Sequence, residues 1–436
     1  MGIKGYYKYI TTKFNIIQKP YKINTLCIDL NGILHTICSK STNENFGFKL
    51  IKELNKIIKK NKPKKIALFI DGQAPLAKVK LQKKRREKYL YSEITGFNPL
   101  QLTPGTKFIK ELDNIVNDYL SSLDIETYYS SSTEKNEGEL KLFSWLEKQS
   151  LTGNTVIHGN DADLIVLGIR SNILNLYIYS NYSFISIDKF VKELSQFIPM
   201  KYGLKYHPIR QDYCFLSLLV GNDYLPSLTK LDKLLNAYAK IQKNKSDFII
   251  KKDKSINLKA LKKLLENLKI PSQRNNSKEQ VYQYFQSLLW NYSLYSGIVS
   301  PNFIPQVNNI NLKSLLKFYP TSIKLPLIDN NWINSHVNLL LLMPLTGKYL
   351  LPDKLQYLMD DDSPIKDLYP EPCPICIEFK KGLSELHPPD KNASSEIRKE
   401  FSIKAADIHK RFNNHKKNIH PNKPLAINRI KKVLGI

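Results

Sequence analysis

This 436-residue chain is poor in cysteine, tryptophan and acidic residues, and it contains no long apolar run. The cysteines number five and are scattered, and the amino-terminal segment has no apolar signal core. These features argue against a secreted, disulfide-stapled fold and favour a reducing compartment. The longest apolar run, Leu339 to Met343, is far too short to span a bilayer. We therefore expect an intracellular, cytoplasmic protein that does not enter a membrane, with a nuclear or a viral setting left open.

The shortage of acidic residues leaves a large positive charge. Lys and Arg total 66 against 39 Asp and Glu, a formal net charge of +27. Such an excess favours a polyanionic partner, nucleic acid ahead of an anionic membrane. The alternative is a solvated lysine-rich surface produced by a biased genome. An apolar content of 42% indicates a globular protein, and the length allows two to three domains.

The first half of the chain alternates strand and helix patterns. Strands are predicted at 22–30, 66–70, 125–129, 155–158 and 174–179, and helices at 46–60, 74–91, 106–123, 137–149 and 211–219. This alternation predicts an α/β fold, a mostly parallel sheet with helices on both faces. The first helix is predicted to bury Phe48, Ile51, Leu54, Ile57 and Ile58. Beyond a Lys/Asn/Ser-rich stretch at 243–255 the pattern is mainly helical, at 258–268 and 278–295.

Acidic residues recur where the predicted strands end. Asp29, Asp71 and the pair Asp161 and Asp163 follow predicted strands, whereas the pair Glu137 and Glu139 begins a predicted helix and Asp223 follows an apolar helix. Ligands of such sheets collect beyond the carboxyl ends of the strands. Crowded carboxylates repel one another unless cations intervene. The pattern therefore predicts a divalent-cation site, although acidic pairs are also common on protein surfaces.

A basic helix follows Asp71. Lys78, Gln82 and Arg85 have the spacing i, i+4, i+7 and share one helical face, with Arg86 at its edge. Two guanidinium groups, a lysine and an amide suit a terminal phosphate. The alternative for this run is a solvated basic face.

Two further patterns are left open. His35 could stack on a base or be an ordinary histidine with satisfied hydrogen bonds. Cys373 and Cys376 have the spacing of half a zinc site, which His387 and His409 could complete.

Taken in order, these motifs resemble the 5′→3′ exoribonuclease (XRN) family. The matching segments cover most of residues 1–370: Met1 to Ile10, Asp29-Leu30-Asn31-Gly32-Ile33-Leu34-His35, Phe69-Ile70-Asp71-Gly72 with Ala74-Pro75 and Lys78, Thr103-Pro104-Gly105-Thr106, Glu137-Gly138-Glu139, Asp161-Ala162-Asp163-Leu164-Ile165, Val220 to Pro226, Trp290 to Pro305 and Leu350 to Pro370. Leu140 departs from the family, which usually has His there.

The resemblance implies a PIN/5′-nuclease-like fold and a role for each motif. The seven acids would hold two Mg²⁺ (or Mn²⁺), and Lys78, Gln82, Arg85 and Arg86 would bind a 5′-phosphate. His35 would stack on the 5′ base, with Phe303 in place of the family's tryptophan. The activity implied is metal-dependent 5′→3′ degradation of single-stranded, 5′-monophosphorylated RNA to mononucleotides, by a monomer. The alternatives are a flap-type DNA 5′-nuclease and a catalytically inactive RNA-binding module.

The resemblance also divides the chain. We expect an XRN-type nuclease domain at 1–240 and a mainly helical second conserved region at 256–370. A basic tail of unknown role would follow at 371–436.

Overall fold

The computed structural model describes residues 5–91, 94, 96–198, 208–242, 248–270, 275–306, 309–324, 331–386, 389–390, 393–420 and 424–436, apart from the side chain of Ser384. The chain divides into two compact units. Unit 1 comprises Met1–Lys78 and Lys110–Trp332, and unit 2 comprises Val79–Ile109 and Ile333–Ile436.

Unit 1 is built on a six-stranded sheet of order β3-β2-β1-β4-β5-β6, parallel except for the last strand. The strands are β1 Thr25–Asp29, β2 Lys65–Phe69, β3 Glu126–Ser130, β4 Thr155–His158, β5 Leu176–Ser180 and β6 Ser183–Ser186. Every residue of β1 is buried, as expected for a central strand covered on both faces. The order reverses between β1 and β4, the place where ligands bind in open parallel sheets.

The helices of the chain up to the end of unit 1 follow in order. They are α1 Tyr6–Lys13, α2 Leu30–Cys38, α3 Asn43–Asn61, α4 Leu76–Arg86, α5 Lys107–Ser121, α6 Gly138–Leu146, α7 Ala162–Arg170, α8 Ile187–Phe197, α9 Pro208–Leu219, α10 Leu231–Gln242, α11 Leu258–Glu266, α12 Lys278–Tyr295 and α13 Leu312–Lys317. Helices α4 and α5 cross the boundaries between the units. A continuous apolar core joins the sheet to α6–α13 within unit 1.

Unit 2 is mainly helical. Its remaining α-helices are α14 Ser335–Leu342, α15 Asp353–Gln356, α16 Pro374–Glu385, α17 Ser395–Ile419 and α18 Ile427–Leu434. Short 3₁₀ helices lie at Glu87–Leu90, Pro99–Leu102, Leu345–Leu350, Tyr357–Met359 and Lys366–Leu368. The segment predicted as a basic tail thus contains three helices. No helix among the described residues is long and apolar enough to cross a membrane.

The predicted α/β class with a mostly parallel sheet, followed by a mainly helical region, is confirmed. All five predicted strands are present with shifts of a few residues at their ends, whereas α1, α2, β6, α8, α10 and the helices after α12 were not predicted. The predicted apolar face of α3 was wrong in part. The helix buries Phe46, Leu50, Leu54 and Ile57, while Phe48 is 70% exposed. The stretch at 243–255 lies partly outside the described residues.

Candidate functional site

The ends of β1 and β2 are joined by one asparagine side chain. Asp29, at the end of β1, caps α2 because its Oδ1 accepts a hydrogen bond from the Asn31 backbone N at 3.1 Å. Asn31 Nδ2 donates to Asp29 Oδ1 at 2.9 Å and to Asp71 Oδ1 at 2.7 Å. The two predicted acids therefore lie side by side and point one oxygen each toward a shared donor.

Helix α6 begins against the same carboxylates. The backbone N of Gly138 donates to Asp71 Oδ1 at 2.7 Å. A Cβ at Gly138 would lie 3.0 Å from Asn31 Nδ2 and 3.3 Å from Asp71 Oδ1. A side chain at this position would crowd the ends of Asn31 and Asp71, so glycine suits the close approach of the acidic pair to the strand ends.

Lys78 lies among the acids rather than apart from them. Its Nζ is 2.7 Å from Glu137 Oε1 and 2.8 Å from Asp223 Oδ2. Burial alone would lower the pKa of this lysine, but the charges of Glu137 and Asp223 outweigh it and raise the pKa well above its usual range. The other Glu137 oxygen, Oε2, accepts a hydrogen bond from Tyr224 Oη at 2.7 Å. Lys78 therefore supplies one positive charge to this part of the cluster.

Asp161 and Asp163 lie at the beginning of α7, directly after β4. Asp161 caps that helix, with its Oδ1 accepting from the Asp163 backbone N at 3.1 Å. Burial, and then the charges of Asp161, Glu137 and Asp163, raise the pKa of Glu139 well above its usual range. Glu139 thus shares its electrostatic environment with Glu137, two positions away, and with Asp161 and Asp163 from the beginning of α7.

Two further pKa values show how unfavourable the shared negative charge is. Burial and then the neighbouring Asp161 raise the pKa of Asp163 to about 7. Burial and then Asp71 raise the pKa of Asp29 to about 7. Both carboxyls would be stabilised as anions by added positive charge.

These residues fit hard divalent cations. Asp163 Oδ1 is buried and has no hydrogen-bond partner among the described residues. The donors of the cluster are carboxylate oxygens, the ligands that Mg²⁺ and Mn²⁺ prefer. In the described structure, the carboxylate oxygens of the acids do not all lie within ligand distance of one common point. In the described part of the chain, a single group of three or more Cys, His, Asp or Glu donors lies within 4.8 Å of one another, and it belongs to unit 2. Lys78 and Asn31 lie between acids in the cluster and account for part of this spacing.

The remaining predicted site residues lie on other elements. Gln82, Arg85 and Arg86 are half-buried on α4 after Lys78, and Arg86 Nε donates to Thr103 Oγ1 at 3.1 Å. His35 is exposed on α2. Phe303 is half-buried and packs on the buried Trp290, with ring centroids 5.2 Å apart. The roles predicted for these side chains stay predictions.

Sequence reasoning missed several residues that position the acids. Asn31 and Tyr224 contact them directly, as described above. Asn222 Oδ1 accepts from the backbone N of Tyr224 at 2.9 Å and of Leu225 at 3.1 Å, which fixes the turn carrying Asp223. Asn222 lies one position before Asp223 and forms an Asx turn, a signal that the sequence could have given.

Among the described residues, the histidines beside Cys373 and Cys376 are not those that the sequence suggested. His409 is exposed on α17, and His387 lies outside the described residues. His415 and His420 lie beside the two cysteines instead. His415 and His420 also have the spacing of the histidines in a zinc site. Which histidines lie beside the cysteines depends on how α17 packs.

A carboxylate cluster at the switch point of a parallel sheet, with one buried lysine among the acids, defines the class: an α/β protein with a candidate cation site for phosphate chemistry.

The family described as XRN 5′-3′ exonuclease N-terminus matches residues 1–94 and 87–181. The 5′-3′ exoribonuclease 1 of Saccharomyces cerevisiae is 25% identical over 376 residues, 67% of this chain and 24% of the relative. The human 5′-3′ exoribonuclease 1 is 24% identical over 53% of this chain and 18% of the relative.

A 5′-3′ exoribonuclease 2 from Candida albicans is 26% identical over 62% of this chain and 39% of the relative. Over residues 1–181, where the family model matches, the chain is similar to the XRN family of 5′→3′ exoribonucleases. It spans well under half the length of these relatives. Among solved structures, the catalytic core of Rad2 in complex with DNA substrate has a TM-score of 0.37 at 13% identity, covering 72% of this chain and 93% of that chain. A score below 0.5 supports no inference about this protein.

Proposed function

We propose that this chain is a divalent-metal-dependent 5′→3′ exoribonuclease that degrades single-stranded, 5′-monophosphorylated RNA to mononucleotides. One observation carries the proposal. Carboxylates from strand ends and helix starts far apart in sequence converge on Asn31, Gly138 and Lys78, with a buried Asp163 oxygen left without a hydrogen bond in the described structure. Acidic pairs that merely lie on a solvated surface would not be expected to converge in this way.

The seven acids Asp29, Asp71, Glu137, Glu139, Asp161, Asp163 and Asp223 would hold two Mg²⁺ or Mn²⁺ ions. When bound, these cations neutralise charge on the phosphodiester and acidify the attacking water. The residues of the chain do the rest. Asn31 orients one oxygen each of Asp29 and Asp71, and Tyr224 and Lys78 fix the two oxygens of Glu137. A fixed cluster loses little free energy to reorganisation when the reaction charge develops.

Helix α4 would set the polarity of degradation. Gln82, Arg85 and Arg86, with Lys78 at the beginning of the same helix, would bind the 5′-monophosphate. Arg forks pair with two phosphate oxygens at once. His35 and Phe303 would contact the first bases, because aromatic faces stack on unpaired bases.

The proposal is tested by comparing four substrates of one sequence. They are 5′-monophosphate, 5′-hydroxyl and 5′-triphosphate RNA, and 5′-monophosphate DNA, all single-stranded and with Mg²⁺ present. We expect the monophosphate RNA to be degraded at least about tenfold faster than the hydroxyl RNA, a difference of about 1.4 kcal/mol. A hydroxyl end carries no negative charge for the cationic donors of the helix to attract, so it forgoes the charge-assisted contacts of the phosphate.

Arg85→Ala should shrink that ratio by slowing the phosphorylated substrate. Lys84→Ala is the matched control, because Lys84 is an exposed cation one position away on the same helix. Equal rates on both 5′ ends would contradict the assigned phosphate site. DNA cleaved faster than RNA would make the chain a DNA 5′-nuclease, and tight RNA binding without cleavage would make it a binding module.

A further inference from the structure

The carboxyl-terminal part of unit 2 contains a compact group of two thiols and two imidazoles. Cys373, Cys376, His415 and His420 each offer one donor atom, and the four atoms lie within 4.8 Å of one another. All four residues belong to unit 2 and none belongs to the acidic cluster of unit 1. The proposed nuclease chemistry leaves them without a role.

The fold brings the four residues together through an antiparallel helix pair, the C-terminal hairpin (α16 and α17). Cys373 is the cap of α16 and Cys376 lies in its first turn, while His415 lies in the last turns of α17 and His420 follows its end. The two helices pack on each other, with the rings of Phe379 and Phe412 6.1 Å apart. The beginning of one helix therefore meets the end of the other, where the cysteines face the histidines.

The geometry and the chemistry suit tetrahedral zinc. A zinc ion with bonds of about 2.3 Å to sulfur and about 2.0–2.1 Å to nitrogen separates neighbouring S and N ligands by about 3.5 Å. Cys373 Sγ lies 3.4 Å from His415 Nε2. The sequence spacing, two residues between the cysteines and four between the histidines, falls in the range of structural Cys₂His₂ sites.

One observation favours a missing partner at this point. His420 Nε2 is buried and has no hydrogen-bond partner among the described residues.

Helix α17 buries little apolar surface. Of the 25 residues of α17, which the structure describes throughout, Phe412 is buried, whereas Ile397 is 53% and Ile403 60% exposed. A helix pair with so little buried apolar surface gains most from a cross-link at its open end.

We propose that Cys373, Cys376, His415 and His420 bind one structural zinc ion that closes the open end of the C-terminal hairpin. The ion would be four-coordinate with protein ligands alone, so it would hold structure and take no substrate. It is distinct in position and ligand chemistry from the oxygen-lined cation site proposed for cleavage.

The test is metal analysis of the full chain after dialysis against metal-free buffer. We expect one zinc ion per wild-type chain, and a loss of at least about tenfold in zinc content for Cys376→Ser and for His420→Ala, each of which removes a ligand. His409→Ala is the matched control, since this exposed histidine of α17 lies outside the cluster, and it should keep its zinc. Asp161→Asn should also keep zinc while losing cleavage, which separates this proposal from the proposed function.

Cobalt replacement keeps the test decisive if a ligand variant folds poorly. Wild-type protein loaded with Co²⁺ should show the intense visible bands of tetrahedral cobalt and a thiolate-to-metal charge-transfer band. Chelation should abolish both bands and make the segment 371–436 sensitive to protease. Wild-type protein without stoichiometric zinc and without a thiolate–cobalt band would overturn the proposal, as would a Cys373–Cys376 disulfide in the purified chain.

Discussion

At the scale of single residues, the acidic cluster depends on neutral neighbours as much as on its acids. Asn31 donates to two carboxylates with one amide nitrogen, and Gly138 presents a backbone N–H where any side chain would crowd them. These contacts hold charges in place that would otherwise repel one another. Replacing an acid should therefore lower the cleavage rate at every Mg²⁺ concentration, whereas replacing a neighbour should lower the apparent affinity for Mg²⁺.

Asp163→Ala should lower the cleavage rate at least about 100-fold, because a lost cation ligand removes several kcal/mol of charge stabilisation. RNA binding and folding should be nearly unchanged, and added Mg²⁺ should not restore the rate. Single-turnover cleavage at rising Mg²⁺ measures this, with Asp124→Ala as control because that acid is exposed. A rate within about tenfold of wild type would remove Asp163 from the metal site.

Asn31→Ala should behave differently. It removes a residue that orients ligands rather than a ligand, so apparent Mg²⁺ affinity should fall about 10–100-fold. High Mg²⁺ should recover much of the cleavage rate. A magnesium titration of Asp163→Ala and Asn31→Ala separates a ligand from a residue that orients ligands. An Asn31→Ala enzyme that saturates at the wild-type Mg²⁺ concentration would contradict the orienting role of Asn31.

At the scale of elements, helices α3 and α9 show how packing selects among similar residues. Helix α3 buries Phe46 completely and leaves Phe48 mostly exposed, although both are phenylalanines two positions apart. Helix α9 buries Asp212, which accepts hydrogen bonds from the backbone N of Ile249 and of Ile250, each at 2.8 Å. Helix α3 is thus held by an apolar side chain in the core, whereas α9 is held to the segment at Ile249 and Ile250 by a buried carboxylate.

Phe46→Ala should destabilise the protein by about 3–5 kcal/mol, because it empties a fully buried site. Phe48→Ala should change the free energy of unfolding by less than about 0.5 kcal/mol. Urea unfolding of the two variants forms a matched pair with the same chemistry. Equal losses of stability would show that the face of α3 is misplaced.

Asp212→Ala should cost about 3 kcal/mol or more, since it leaves two backbone donors and the Tyr238 hydroxyl buried without their acceptor. Urea unfolding measures this cost, and Asp124→Ala again serves as the exposed control. A loss of stability below about 1 kcal/mol would mean that another group or water satisfies those donors.

At the scale of the whole molecule, the net charge of +27 dominates encounters with nucleic acid. Phosphate contacts release counterions, so binding of single-stranded RNA should weaken by a log–log slope of about −3 or steeper as salt rises. Fluorescence anisotropy with a cleavage-deficient Asp163→Ala variant measures the slope. A flat response would mean that the lysines are a solvated surface and do not bind phosphate.

The sequence by itself determined the sheet and the identity of the candidate site. Strand and helix periods are local, so β1 to β5 and most helices of unit 1 were predicted within a few residues. Asp29, Asp71, Asp161 and Asp163 followed from their place after strands, because strand ends of a parallel sheet share one edge.

Only the tertiary structure decided what lies beside each of those side chains. Lys78 was grouped with the basic residues of its helix, yet its ammonium contacts Glu137 and Asp223, which are far away in the chain. The pairing of Cys373 and Cys376 with His415 and His420, rather than with His409, depended on the packing of α16 against α17. The physical reason is the same in both cases. Spacing along the chain fixes which residues share a face of a helix, whereas packing between distant elements fixes which charges and donors that face meets.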